Sequence, residues 1–219
     1  MKIFADTADV EAIREAHACG FIDGVTTNPQ LVADTDQSYE AVVRDIDEFL
    51  EGPISVQVTA SSEAGMIEQS REFDTWGDNI AIKIPMTKPG LKALDTLSDE
   101  GYKTNATVLF SPVQALFAAK NGATFVSPWW GDANDAGFNG FDLVRDVIEI
   151  YDSYDFDTEV LVASIRNPRY VAESAKIGAD IATIPPFVFD MFWENPMTGA
   201  FIDNIMDHWG DRGDPAEGA

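Results

Sequence analysis

A lysine stands inside the short apolar run Ile80-Ala81-Ile82-Lys83-Ile84-Pro85, whose length and β-branched content predict a buried strand. Burial disfavours an ammonium, so it lowers the amine's pKa and raises the neutral, nucleophilic fraction near pH 7. Such an amine condenses with a ketone, which makes Lys83 a candidate Schiff-base residue. The segment by itself equally allows a lysine that reaches past its neighbours to water or pairs with an acid. The acid that fits an imine is Asp6, at the end of Met1-Lys2-Ile3-Phe4-Ala5-Asp6. A carboxylate placed there would take and return the proton of the hydroxyl group whose C–C bond breaks. Its competing roles are capping the helix that follows and pairing with Lys83.

Both residues need a scaffold that brings strand ends together. Short apolar runs alternate along the chain with helical patterns, and eight such repeats predict a single (β/α)8 TIM-type barrel over residues 1–210, with an additional C-terminal helix near Thr198–Trp209. Residues 211–219 read as a polar, frayed tail. An open doubly wound sheet would carry a glycine-rich loop after its first strand, and Asp6-Thr7-Ala8-Asp9 is not one. In a barrel the chemistry gathers at the C-terminal strand ends. Asp6, Asn28, Gln57, Lys83, Asn105, Thr107, Trp129, Ser164 and Arg166 all fall at or near such ends. Asn28, Asn105 and Thr107 suit sugar hydroxyls or an oriented water, or else satisfy one another inside the barrel. Of Trp129 and Trp130, only one can face inward, and Trp129 is the better-placed wall.

Composition bounds the partners. A net charge of −24 on 219 residues with 45% hydrophobic content describes a folded core under an acidic skin. That skin repels nucleic acid and anionic membrane, which both ask for a basic footprint. It also suits a halophilic protein in a salt-rich cytoplasm. Cys19 is the sole cysteine, and no signal segment or spanning run is seen, so a cytoplasmic location is expected. No metal site is expected: His17 and His208 have no ligand set, and Asp132-x-Asn134 begins a calcium loop that Leu143 fails to complete, leaving an exposed loop. The apolar face of Phe201, Ile202, Ile205, Met206 and Trp209 is expected to pack on the barrel or on a neighbouring subunit.

Five blocks in order, Phe4-Ala5-Asp6-Thr7-Ala8, Asp23-Gly24-Val25-Thr26-Thr27-Asn28-Pro29, Ala81-Ile82-Lys83-Ile84-Pro85-Met86-Thr87, Asn105-Ala106-Thr107-Val108-Leu109-Phe110-Ser111 and Ala163-Ser164-Ile165-Arg166-Asn167, resemble the transaldolase and fructose-6-phosphate aldolase family. The resemblance implies a Schiff base on Lys83, Asp6 as acid/base, and no cofactor. It also implies transfer of a dihydroxyacetone unit from a ketose to an aldehyde acceptor, or its release as free dihydroxyacetone, and a homo-oligomer, commonly a decamer in the short members. A water held by Gln57, Thr107 and the residue at position 129 would mediate proton transfer, while Ser164 and Arg166 would hold the substrate's terminal anion. The chain departs from that pattern in three places. Asn105 and Thr107 match the transaldolase branch but Gln57 matches the aldolases, Trp129 fits neither, and Asp132 stands where the family carries an arginine that clamps phosphate. Either Asp132 turns to solvent, or the substrate's distal end is altered.

Overall fold

The computed structural model describes residues 1–210; the tail expected at 211–219 lies outside the described residues. Eight parallel strands close into a barrel in sequence order. They are β1 (Lys2–Asp6), β2 (Gly24–Thr26), β3 (Ile54–Gln57), β4 (Ile80–Pro85), β5 (Thr104–Leu109), β6 (Phe125–Pro128), β7 (Glu159–Val162) and β8 (Ile181–Ile184). Closure is made by β1 on β8, with Lys2 beside Ile181 and Ala5 beside Ile184. The chain thus adopts the (β/α)8 barrel read from its sequence.

Because side chains alternate across a strand, each inward position is followed two residues later by another on the same face. Phe4, Ala81, Phe125, Leu161 and Ile181 form one buried cluster that plugs the barrel interior. Two residues on from four of these come Asp6, Lys83, Ser127 and Thr183. The dry plug therefore dictates which face of each strand delivers polar groups at the C-terminal mouth. The outward faces, including Val25, Ile54, Val56, Ile82, Ile84, Val126 and Val162, pack under the helices in the larger apolar cluster.

The helices are α1 (Val10–Ala18), α2 (Pro29–Ala33), α3 (Tyr39–Asp47), α4 (Glu63–Phe73), α5 (Lys88–Asp99), α6 (Pro112–Lys120), α7 (Trp130–Asp135), α8 (Gly140–Tyr154), α9 (Pro168–Lys176), α10 (Pro186–Trp193) and α11 (Pro196–Trp209). Several start on a side-chain cap: Asp9 for α1, Asn28 for α2, Ser62 for α4 and Asn167 for α9. Capping of α1 by Asp9 removes that task from Asp6. Pro29 opens α2, where its missing N–H costs nothing. The stretch expected to be an exposed loop after Trp129 forms α7, anchored by buried Trp130 stacked on Tyr170 with ring centroids 4.7 Å apart. Of the two surfaces expected to cover the apolar face of α11, the barrel does not bury it, since no residue of that helix is buried in the single chain.

Candidate active site

Lys83 is 4% exposed. Its Nζ donates to the Thr27 carbonyl oxygen at the end of β2, at 3.2 Å. Burial drives its pKa below the ordinary lysine value, with the Asp6 charge opposing the shift. Asp6 lies on β1, separated from β4 by β2 and β3 around the barrel. Burial pushes the Asp6 carboxyl above its ordinary value; Lys83 and a hydrogen bond from Thr26 pull it down, and Asp132 pushes it further up. Among the described residues no ion pair joins Asp6 to Lys83. Each group therefore tunes the other across a gap that a substrate can enter.

Asp6 is oriented by a short relay. Thr26 Oγ1 donates to Asp6 Oδ1 at 2.8 Å and itself meets Thr183 Oγ1. The register of β1 on β2 places Thr26 directly beside Asp6, so the contact follows from strand pairing.

The two groups face a cavity of about 300 Å³ whose walls also include Asn28, Trp129, Asp132, Ser164, Arg166 and Phe187. Asn28 spends its Oδ1 on the Leu31 amide at the start of α2. Its amide nitrogen is thereby directed to donate to a substrate oxygen. Trp129 forms the wall, as the sequence pattern indicates.

Three of the expected site residues are not among those lining the cavity. Asn105 is fully buried, donating from Nδ2 to Ser55 Oγ at 3.1 Å and accepting from Ser127 Oγ at 2.8 Å. Thr107 is fully buried beneath Trp129, whose Nε1 donates to its Oγ1 at 3.2 Å. Gln57 keeps Oε1 buried and without a hydrogen-bond partner. An orphaned acceptor of this kind is costly unless something donates to it, and it marks where a water or hydroxyl would bind.

Sequence reasoning overlooked Tyr39. Its hydroxyl accepts from the Gln57 backbone N–H at 2.8 Å and meets Thr27 Oγ1 at 2.8 Å, and burial pushes its pKa up to about 12. It ties the ends of β2 and β3 together beside β4, which carries the lysine. A tyrosine opening an amphipathic helix carries no signal beyond core packing. Gly131 was overlooked too. A Cβ there would collide with the Ser164 carbonyl oxygen and with Arg166 Nε, so only glycine lets α7 lie against the end of β7. Ser164 itself holds a left-handed backbone, φ 60°, and its Oγ accepts from the Asp132 N–H at 3.0 Å.

Arg166 does not stand free at the mouth. Its Nη2 lies 3.3 Å from Asp132 Oδ1 and 3.1 Å from Asp135 Oδ2. Asp132 has not turned away to solvent alone; it lines the cavity and pairs with the arginine.

A family model described as Transaldolase/Fructose-6-phosphate aldolase matches residues 3–212. A probable transaldolase of Anaeromyxobacter sp. (strain K) is 48% identical over 209 residues, covering 95% of this chain and 96% of the relative. Probable transaldolases of Lactiplantibacillus plantarum and Methanococcus maripaludis are each 46% identical, covering 95% of this chain and 96% and 97% of their own length. Among solved structures, the thiamine phosphate pyrophosphorylase from Pyrococcus furiosus superposes with a TM-score of 0.60 over 84% of this chain and 85% of that one. At 15% identity it shares the fold alone. The matches at near-full coverage place this chain in the transaldolase/fructose-6-phosphate aldolase family.

Proposed function

We propose that the protein is a class I, imine-forming transaldolase that moves a dihydroxyacetone unit from a ketose to an aldehyde. The observation that carries this reading is a lysine almost sealed in the barrel wall, with its pKa lowered, facing a carboxyl group across one cavity. Neutral Nζ adds to the ketone carbon, and loss of water gives a protonated imine. Asp6 removes the proton from the hydroxyl on the distal carbon of the bond that breaks. The bond's electron pair moves into the imine, giving an enamine, and the distal fragment leaves as an aldehyde. Attack of the enamine on an acceptor aldehyde reverses these steps, with Asp6 returning the proton to the new alkoxide; water then frees Lys83. Asn28 is suited to donate to a substrate hydroxyl, and Trp129 to wall the sugar. Thr107 acts through Trp129, and Asn105 through Ser127, which lines the cavity.

Borohydride with fructose 6-phosphate or another ketose should reduce the imine and leave one covalent adduct per chain, lost in Lys83→Met. Absence of an adduct with every ketose tried would leave a sugar-binding barrel without catalysis. A second reading, an aldolase that releases free dihydroxyacetone, draws on the neutral amide of Gln57 and its unpartnered Oε1, which suits a bound water. Rapid dihydroxyacetone release without an acceptor would favour it over exchange onto erythrose 4-phosphate.

We place the enzyme in the cytoplasm as a homo-oligomer. Phe201, Ile202, Ile205 and Met206 of α11 are all exposed in the single chain, an apolar face of the sort that a further copy covers. Light scattering on the intact protein measures the assembly, and a monomer would remove this part of the reading.

A further inference from the structure

We infer that Asp132 and Asp135 select the donor by cancelling the charge of Arg166 and setting a carboxylate at the cavity mouth, so that the mouth takes a ketose whose distal end is an uncharged hydroxyl rather than a phosphate. The inference rests on the imine-forming reading above and concerns the end of the substrate away from Lys83.

Lys83 and Arg166 are the two cationic residues lining the cavity. Lys83 is committed to the ketone carbon. Arg166 is matched by two carboxylates through one nitrogen, at 3.3 and 3.1 Å. The three groups together carry one net negative charge. Their side chains are 46% (Arg166), 39% (Asp132) and 72% (Asp135) exposed, so the ion pairs themselves are weak. The obstacle to phosphate is therefore not breaking them. It is the carboxylate left beside the incoming dianion, since Asp132 lines the same cavity.

The local backbone keeps the carboxylate in place. Gly131 N–H donates to the Ser164 carbonyl and Asp132 N–H donates to Ser164 Oγ, both at 3.0 Å. The close approach over Gly131 leaves Arg166 Nε packed against the same turn. A hydroxyl end suits this arrangement: it donates to Asp132 and accepts from Arg166, which a fully ionised phosphate cannot do.

Fructose and fructose 6-phosphate, which differ only at that end, are the probes. The rate of borohydride-trapped adduct formation is measured with each in separate reactions at one fixed salt concentration. The phosphate-to-sugar ratio is then compared between proteins, which cancels differences in ring opening. Asp132→Asn/Asp135→Asn should raise this ratio by about tenfold, the order expected for removing repulsion at a partly exposed site. Adding Arg166→Gln should shrink the gain, because the guanidinium's attraction is lost while the relief of carboxylate repulsion remains. A ratio that stays unchanged in the double variant, or a gain of the same size with and without Arg166→Gln, overturns the inference while adducts on both sugars keep the imine reading intact. No adduct with either sugar in the parent protein overturns both.

Discussion

Trp129 Nε1 donates to Thr107 Oγ1 at 3.2 Å, joining the cavity wall to a fully buried hydroxyl on β5. The bond fixes the rotation of the indole, so the face that Trp129 turns to the substrate depends on a residue the substrate does not reach. Trp129→Phe and Thr107→Val should each lower stability by about 1 kcal/mol, the usual net worth of such a bond. The double variant should show a coupling of roughly 0.5–1.5 kcal/mol by urea unfolding. Strict additivity would mean the two side chains act separately.

The pH dependence follows from the directions of two shifts. Lys83 has its pKa lowered below 10.5, mainly by burial, so imine formation should rise with pH and level off below that value. Asp6 has its pKa raised above 3.8, and Asp132 contributes to the rise. Since cleavage needs the Asp6 carboxylate, its acid limb should lie above the ordinary aspartate range. Asp132→Asn removes a raising charge, so that limb should move to lower pH. A limb that moves upward, read from the pH profile of C–C cleavage, would contradict the proximity of these acids. The limb belongs to the coupled Asp6–Lys83 pair rather than to one residue.

Much of this site is legible in the sequence because a strand repeats every two residues. Phe4 then Asp6, Ala81 then Lys83, and Ile181 then Thr183 each place an apolar plug beneath a polar mouth residue. Spacing gives the face but not the depth. Asn105 and Thr107 share a face by count, yet Asn105 bonds Ser55 and Ser127 while Thr107, within the irregularity between Ala106 and Leu109 where Val108 has φ 56°, lies beneath Trp129. Gly131 and the Asp/Asn-rich sequence of α7 are poor helix formers. Burial of Trp130 against Tyr170 and Phe141 overrides that propensity. Periodicity likewise shows that α11 has an apolar face, but carries no information on what covers it.

The buried pair should cost stability. For Lys83 the folded pKa lies below the unfolded one, so its contribution is present above 10.5 and lost as pH falls through the folded value. For Asp6 the folded pKa lies above the unfolded one, so its contribution is present below 3.8 and lost as pH rises through the folded value. Where both groups are charged, both subtract. Asp6→Asn/Lys83→Met should therefore be inactive yet more stable by about 1–4 kcal/mol, as for other buried ion pairs replaced by neutral side chains. In a chain of this size each kcal/mol raises Tm by roughly 2–4 °C. A lower Tm for the double variant would show that the pair stabilises the barrel.

The acidic surface should make the fold depend on salt. With a net charge of −24, the folded chain holds its carboxylates at closer quarters than the unfolded chain does. The ion pairs relieve little of this, because the side chains in pairs such as Arg44–Glu40 and Arg145–Asp146 are about half exposed. The Debye length is about 10 Å at 0.1 M salt and about 3 Å at 1 M, so added salt removes most of the repulsion between neighbouring carboxylates. Screening worth about 2 kcal/mol would lift Tm by roughly 4–8 °C between 0.1 and 2 M NaCl. The same series at a pH low enough to neutralise many surface carboxylates should be flatter, which separates screening from the general strengthening of apolar burial by salt. A Tm indifferent to NaCl at neutral pH would end the halophilic reading and leave the acidity as a device for solubility.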